Sequence, residues 1–551
     1  MLTTPTDLPH AAPAGFVPIT MDRPATPSLR ARALLGHALL LGVAGDALLR
    51  GISAGVAFLL FIGLLGLALI SVTRRHGRRV PGEVAGWLLT AALFSAGLAW
   101  RDSGTLQSLD VLATLGALAM AAIALGNSHA ALLAERFRAT VWAAAGLAWS
   151  MAVGFILLAV QEIVATDVRR RGASRVRPVL RSMLIAGTLI VVFGSLLRGA
   201  DPIFASLVEL PQFDVGRVVS HGLLIGLFCW LVSGWFRGAL GSDLRKHSAP
   251  ESLPFGLSLL DITTALGTLN ILFAVFIAAQ LGWFFGGENF LRARTGLTVA
   301  QYARRGFFEM VWVVMLVVPL LVATRAVLQP GRALERRHTV LSLPVIVLLG
   351  GIIISAVTRM QLYVRYFGLT VDRFYPLVFM AWLGAVLIWL ALTVLRGRGR
   401  SFIAGVAVSG LATLATLNVV APDAIVARFN MNRAATTHRL AESTLDLRHM
   451  SALSAEAAEL ATRATLAAPT AADGTPLRAV EDKERCYAAR TLLRRWGPAS
   501  PAVRRREADG AWRFWNAGEV RAIRVVSARS AELRTVQHAS CARVPRADRP
   551  R

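Results

Sequence analysis

LDITTALGTLNILFAVFIAAQLGWFFGG, residues 260–287, decides how this chain is read. The apolar run reaches from Leu257 to Phe285. That is too long for an ordinary buried helix and right for a tilted membrane span, since about 20 residues cross the hydrocarbon. A polar, basic connection follows. A second run then opens with AQYARRGFFEM at Ala300–Met310 and continues as WVVMLVVPLL. Polar residues stand in both runs: Asn270 and Gln280 inside the first, Arg304, Arg305 and Glu309 at the mouth of the second. An unpartnered polar group in lipid is costly, so each of these asks for a partner or a function.

Outward from this pair the composition agrees. Of 551 residues 55% are apolar, and the mean hydropathy is +0.55, which places the chain among membrane proteins. The formal charge of +26 comes almost wholly from arginine, Lys246 and Lys483 being the only lysines. No zinc-finger spacing, basic helix or other nucleic-acid module accompanies that charge, so nucleic acid is not an expected partner. The arginines collect in short loops, where they orient a membrane protein.

Twelve apolar segments follow one another, near 34–49, 52–72, 84–100, 106–125, 142–164, 179–197, 218–235, 257–285, 307–327, 340–357, 374–395 and 402–420. All must be helices, because an open sheet leaves its backbone unsatisfied in lipid. The fold class expected is all-α: a polytopic transmembrane bundle of about 11–13 spans. Gly51/Gly55, Gly234/Gly238 and Gly282/Gly286 have the small-xxx-small spacing of close helix contacts. Residues 1–30, rich in Pro, Thr and Ala, read as a disordered leader without a cleavable signal, and Met21 is an alternative start. Residues 31–420 form the membrane domain. Residues 421–551, with charged helices broken at PTAADGTP and GPASP, form a small helical extramembrane tail.

The Arg clusters Arg74–Arg79, Arg169–Arg181, Arg245–His247, Arg332–His338 and Arg396–Arg400 are expected in the cytoplasm, with the N-terminus. That places the tail and the loops at 198–216, 286–305 and 358–373 outside. Three apolar segments separate the first two clusters where parity wants two, so either one of them lies in the interface or is re-entrant, or the rule is broken once. His76, His247 and His338 fall in basic loops on this reading, and only His221 approaches a span.

On a helix, Asn270 shares a stripe with Thr263, Gly267 and Ala274, and Gln280 lies about 15 Å further along and about 80° around. Interhelical hydrogen bonding is the plain reading of both amides, and a solute path the functional one. Arg305 and Glu309 make an i,i+4 pair with Tyr302 on the same face. Glu309 is the leading candidate for a protonatable group, against the plainer reading of Tyr302, Arg304, Arg305 and Glu309 as an interfacial anchor. Arg359, Tyr363 and Tyr366 recur on one face beyond the 340–357 span, and Asp201 lies in the outer loop RGADPIF. Arginines placed outside against the positive-inside trend call for partners: acidic residues of the chain, the tail, or an anionic ligand held by bidentate forks. Asp46 reads as a helix-end marker.

No phosphate loop, HExxH, CxxC or GxSxG is present, and no cofactor or metal site is expected. Cys229 is a packing residue. Cys486 and Cys541 can pair in an oxidising compartment, two free thiols being the plainer reading.

The stretches TALGTLNILFAVFIAAQLGWFFGG and TGLTVAQYARRGFFEM, with RGADPIFASL at Arg198, TRMQLYVRYFGLTVDRFY at Thr358, FMAWLGAVLIWLALTVLRGR at Phe379, APDAIVARFN at Ala421 and WRFWNAGEVRA at Trp512, carry a family resemblance. They resemble an uncharacterised bacterial multi-pass membrane family, the domain of unknown function numbered four-one-seven-three. Ala421 departs from the Asn expected before the Pro-Asp pair. The resemblance implies a bacterial cytoplasmic-membrane protein and no particular activity. The reading that follows is a non-enzymatic envelope scaffold or sensor in the lipid bilayer, with a small anionic solute or an envelope component as partner. A transporter and a membrane-embedded transferase on a lipid-linked or phosphorylated substrate are the alternatives. The oligomeric state stays open.

Overall fold

The computed structural model describes most of residues 27–126 and 137–157, then 215–240, 258–295, 307–326, 331–393, 399–437, 445–467, 479–508 and 511–544, with a few isolated positions. The fold divides into a small unit, Met1–Gly36 with Ile156–Pro211, and a large one, His37–Phe155 with Gln212–Arg551. The large unit carries everything that follows.

The described elements are helices. The membrane part comprises α1 (Pro27–Leu49), α2 (Val56–Arg75), α3 (Gly82–Trp100), α4 (Gly104–Gly126), α5 (Phe137–Leu157), α6 (Val215–Leu240), α7 (Leu259–Thr295), α8 (Phe307–Ala326), α9 (Arg332–Phe367), α10 (Val371–Thr393) and α11 (Gly399–Val420). Nine of these, α2–α4 and α6–α11, are long and apolar enough to cross a bilayer among the described residues; α1 and α5 contribute shorter apolar stretches. The chain is an all-α polytopic membrane protein. The candidate span at 179–197 lies outside the described residues. Of the three segments in the parity question, α3 and α4 are long and apolar enough to span, and α5 contributes only the shorter apolar stretch Ala143–Ile156 among the described residues.

Lipid explains the surface. Leu64, Leu93, Leu112, Leu223, Ile271 and Val347 are among many large apolar side chains left exposed on these helices, as expected where the surroundings are as apolar as the core. The buried faces of α7–α10 meet in a core that includes Leu266, Phe273, Val314, Leu349, Met380 and Leu387. Where helices approach most closely, glycine permits it. A Cβ on Gly234 of α6 would strike the backbone at Ser150 and Met151 of α5, and Ser150 Oγ donates to the Gly234 carbonyl at 3.0 Å. Gly267 faces open space, so Asn270 meets its neighbour without a small-residue gap. Gly55 lies against the backbone at Arg513–Trp515, so it serves the tail and not a helix pair.

Two expectations are corrected by the packing. His338 is fully buried on α9, bridged by Thr324 of α8 at 3.0 Å and by Ser342 at 3.3 Å, because α9 begins six residues before it. Asp46 is also buried; it accepts from Arg50 at 2.6 Å and meets His221 Nδ1 of α6 at 2.5 Å, so it fastens two helices as well as ending one.

After Val420 the helices are short and polar: α12 (Pro422–Thr437), α13 (Leu447–Ala452), α14 (Ala458–Leu466), α15 (Ala479–Trp496), α16 (Pro501–Glu507), α17 (Ala517–Ala528) and α18 (Ser530–Arg543). They close round a second core, with Val426, Met450, Leu492, Trp496 and Val526, which also takes in Val364 and Leu369 from the end of α9. The tail is therefore packed onto the bundle and does not hang from it. Cys486 of α15 and Cys541 of α18 form a disulfide with Cα atoms 5.0 Å apart. Two free thiols, the plainer reading of the sequence, is thus corrected: antiparallel packing of α15 on α18 brings together residues 55 positions apart.

The chain enters the tail through Ala421, whose φ is +57°, a left-handed conformation that a Cβ disfavours by about 1–2 kcal/mol. Asn, expected at this place by the resemblance, tolerates that conformation better than Ala does. Ala421→Gly removes the clash at some cost in chain entropy. The expected result is a gain of about 0.5–1 kcal/mol in chemical unfolding of the purified protein; a loss of stability would show that the turn stores no strain.

Candidate functional site

The residues singled out in the sequence separate into three places. Asn270 of α7 donates from Nδ2 to Leu266 O and to Leu341 O of α9, each at 2.9 Å. Pro344 lies inside α9 just beyond and brings no N–H, which frees the Val340 carbonyl, one residue before the one that Asn270 reaches. About two to three turns before the C-terminal end of α9, Gln280 Oε1 accepts from Ser355 Oγ and from Arg359 Nη2, the latter at 3.1 Å. Gln280 and Arg359 are both buried. These contacts join α7 to α9, and Asn270, Gln280 and Arg359 line one interface.

Tyr363 belongs to the next turn of α9. The Arg373 guanidinium stacks 4.1 Å from its ring and donates to the carbonyls of Phe367 and Gly368, so this arginine is spent on the α9–α10 turn. Glu309 is exposed on the first turn of α8 and is not among the side chains joined at these α7–α9 contacts. Tyr302, Arg304, Arg305 and Asp201 lie outside the described residues.

A denser polar site stands where the α3–α4 turn meets the tail. Arg101, buried just after α3, donates from Nε to Asn418 O at 2.6 Å and from Nη2 to Val419 O at 2.8 Å. It thereby satisfies the last carbonyls of α11, which no helical N–H can reach. Asp102 and Glu456 cap each other's loops: the Asp102 N–H donates to Glu456 Oε1 at 2.8 Å, and the Ala455 N–H donates to Asp102 Oδ2 at 3.2 Å. Ser454 extends the strap, its N–H donating to Asp423 and its hydroxyl to Glu456. Asn516 does two things at once. Its Oδ1 caps α17 by accepting from the Glu519 N–H at 3.0 Å. Its Nδ2 donates to Leu98 O and Arg101 O at the end of α3, at 2.8 and 2.7 Å. Inside the bundle, Asp110 of α4 accepts from Asn418 Nδ2 of α11 at 2.7 Å.

Burial dominates the electrostatics. Desolvation lifts the Asp102 pKa from 3.8 to about 6, against the Ala455 N–H and helped by the Glu456 and Glu519 charges. Desolvation also lowers the pKa of Arg101, with Glu456 opposing. Beside this seam runs an apolar cavity of about 460 Å³ between α4, α8, α10 and α11, with Leu109, Phe308, Tyr375, Phe379, Trp382 and Leu414 in its wall. Among the described residues no three His, Cys, Asp or Glu side chains come together to hold a metal ion.

None of the seam carboxylates or Asn516 was singled out in the sequence. One signal was there: APDAIVARFN and WRFWNAGEVRA, two of the stretches that carry the resemblance, contain Asp423 and Asn516. The pairings themselves join residues more than 300 positions apart, beyond the reach of spacing.

Comparison with known families matches residues 88–464 to a domain of unknown function, DUF4153. The number four-one-seven-three is corrected by that match. No curated protein matches the chain, and no solved structure does.

The seam makes two expectations measurable. Asn516→Ala leaves two buried carbonyls without a donor and uncaps α17, and is expected to cost about 1–3 kcal/mol of tail stability in urea unfolding. A carboxyl whose folded pKa is raised stabilises fully below its unfolded value and loses that contribution as pH rises through the folded one. Tail stability is therefore expected to fall by about 2 kcal/mol between pH 4 and pH 7. The same titration of Asp102→Asn should be flatter; an unchanged slope would remove Asp102 as its source.

Proposed function

The chain belongs to the DUF4153 family of unknown function, and from that premise we propose a non-enzymatic scaffold or sensor of the bacterial cytoplasmic membrane. Its helical C-terminal domain is held on the outer face of the bundle and offers its surface to an envelope component or a small anionic solute. The observation that carries this reading is the seam, in which Arg101, Asp102, Glu456 and Asn516 hold tail and bundle together through side chain to backbone bonds. Such contacts fit a device that displays or positions the tail better than a tethered, independent domain.

Two features support the outer placement. The start of α2 and the end of α9 meet the tail, so the basic residues Arg74 and Arg75 at the end of α2 and Arg332, Arg336 and Arg337 at the start of α9 stand at the opposite helix ends, which agrees with the positive-inside trend and a cytoplasmic N-terminus. The Cys486–Cys541 disulfide fits an oxidising compartment.

A second reading, a membrane-embedded transferase acting on a lipid-linked substrate, draws on the apolar cavity beside Tyr375 and the seam carboxylates. The transporter reading has less behind it, since Asn270 and Gln280 spend their amides between helices.

Alkylation of intact cells before lysis tests the placement. The expected outcome is a Cys486–Cys541 bond that resists the reagent, with only Cys229 modified after denaturation without reductant. Modification of all three thiols would put the tail in a reducing compartment and end the outer reading. The scaffold itself is tested by Asp102→Ala combined with Asn516→Ala, which should open the tail to protease while the bundle stays intact. A tail still protected in that variant would mean the seam does not hold it.

A further inference from the structure

We propose that Asp110 and Asn418 form a proton-binding site at the outer end of the bundle, in which a neutral Asp110 carboxyl donates through Oδ2 to Asn418 Oδ1. The inference goes beyond the scaffold reading and stands on the bundle alone.

The Asp110 side chain is fully buried. Its Oδ1 accepts from Asn418 Nδ2, but Asp110 Oδ2 and Asn418 Oδ1 are both buried without a hydrogen-bond partner. The two orphan oxygens lie against the same residue: a Cβ on Gly97 of α3 would collide with Asp110 Oδ2 and come within 3.0 Å of Asn418 Oδ1. Two acceptors side by side with no donor are a costly arrangement in a dry site. One proton on Oδ2 changes both at once. It makes a donor for Asn418 Oδ1, completes a two-bond ring between acid and amide, and removes a buried charge.

No side chain among the described residues donates to Asp110 Oδ2 or Asn418 Oδ1. The α3–α4 turn brings Arg101 and Asp102, α6 brings Arg217, His221 and Arg237, α10 brings Tyr375, and the tail brings Asp423 and Glu456. None of these forms an ion pair with Asp110 among the described residues, and Arg101 turns Nε and Nη2 to the α11 carbonyls. A metal cation is poorly served, because such ions take six or more oxygen ligands and only two orphan oxygens meet here. The proton comes from a solvent hydronium ion, whose O–H bond breaks to leave water as the Oδ2–H bond forms, and return of the same proton to water is the reverse step.

Occupancy bears on the tail. Asn418 is three residues from the Ala421 turn, and its own carbonyl is one of the two that Arg101 holds. Charging Asp110 would set a carboxylate against the amide oxygen at the point where α11 hands the chain to the tail.

Infrared difference spectra of the full-length protein in nanodiscs at pH 7 test this. Subtraction of Asp110→Asn from wild type should leave the C=O band of a protonated carboxyl, and Asn418→Leu should shift that band to higher frequency. Asp102→Asn should leave it in place. Asp110→Asn, which reproduces both bonds of the neutral acid, should keep the wild-type melting temperature. Should Asp110→Asn fail to fold, wild type and Asn418→Leu compared in H₂O and D₂O still report the band and its origin. Absence of any protonated-carboxyl band at pH 7, or a melting temperature that rises with sodium in wild type but not in Asp110→Asn, would overturn the proposal, the second by making the site a cation site.

Discussion

A helix leaves its last four carbonyls without N–H partners, and the end of this bundle that meets the tail is organised by how those carbonyls are satisfied. Arg101 finishes α11, Asn516 finishes α3, and Arg513 donates to Ala47 O near the end of α1 at 2.6 Å. Arg433 of α12 donates to Tyr366 O, and Arg373 to Phe367 O, at the end of α9. The donors come from other elements, several of them from the tail. Satisfying the bundle's helix ends and docking the tail are thus one physical event. The tail obeys the same rule internally, where Arg495 collects the carbonyls of Ser451, Ala452 and Leu453.

This gives the arginines outside the loop clusters a use that charge counting does not suggest. A guanidinium offers five donors in a fixed plane and keeps its charge when buried, so it can close two carbonyls at a helix end where lysine would offer a single mobile point. The sequence reading asked what partners the outer arginines have and named acidic residues, the tail or an anion. For Arg359 the partner includes the Gln280 amide, and for Arg373 it is a tyrosine ring and backbone oxygen. An anionic ligand is not required to account for either.

What was legible in the sequence was what local spacing encodes. Apolar length marked the spans, and an amide at mid-span, Asn270, pointed to a neighbouring helix because lipid offers it nothing else. The glycine spacing at Gly234 marked a real close approach. The illegible part depends on which helix faces which. Glu309 and Arg305 share a helical face on paper, yet the face carrying Glu309 turns outward, and nothing in the local pattern fixes that rotation. His338 looked like a loop residue because its neighbours are charged, whereas α9 starts early and buries it against α8. The seam was hidden for the same reason: Asp110 and Asn418 are ordinary in their own segments and acquire a role only when α4 and α11 meet.

Two restraints on the tail act at different levels, and separating them clarifies what regulation could reach. The disulfide ties α15 to α18 inside the tail and contributes to its integrity wherever the tail sits. The seam ties tail to bundle, and within it burial makes ionisation of Asp102 expensive. Redox conditions therefore act on whether the tail is folded, and proton concentration acts on how firmly it is docked. A strap built from neutral side chains would have held the tail equally well and answered to neither pH nor charge. Placing Asp102 at the joint, where desolvation raises its pKa to about 6, lets the junction between membrane and tail answer to the proton.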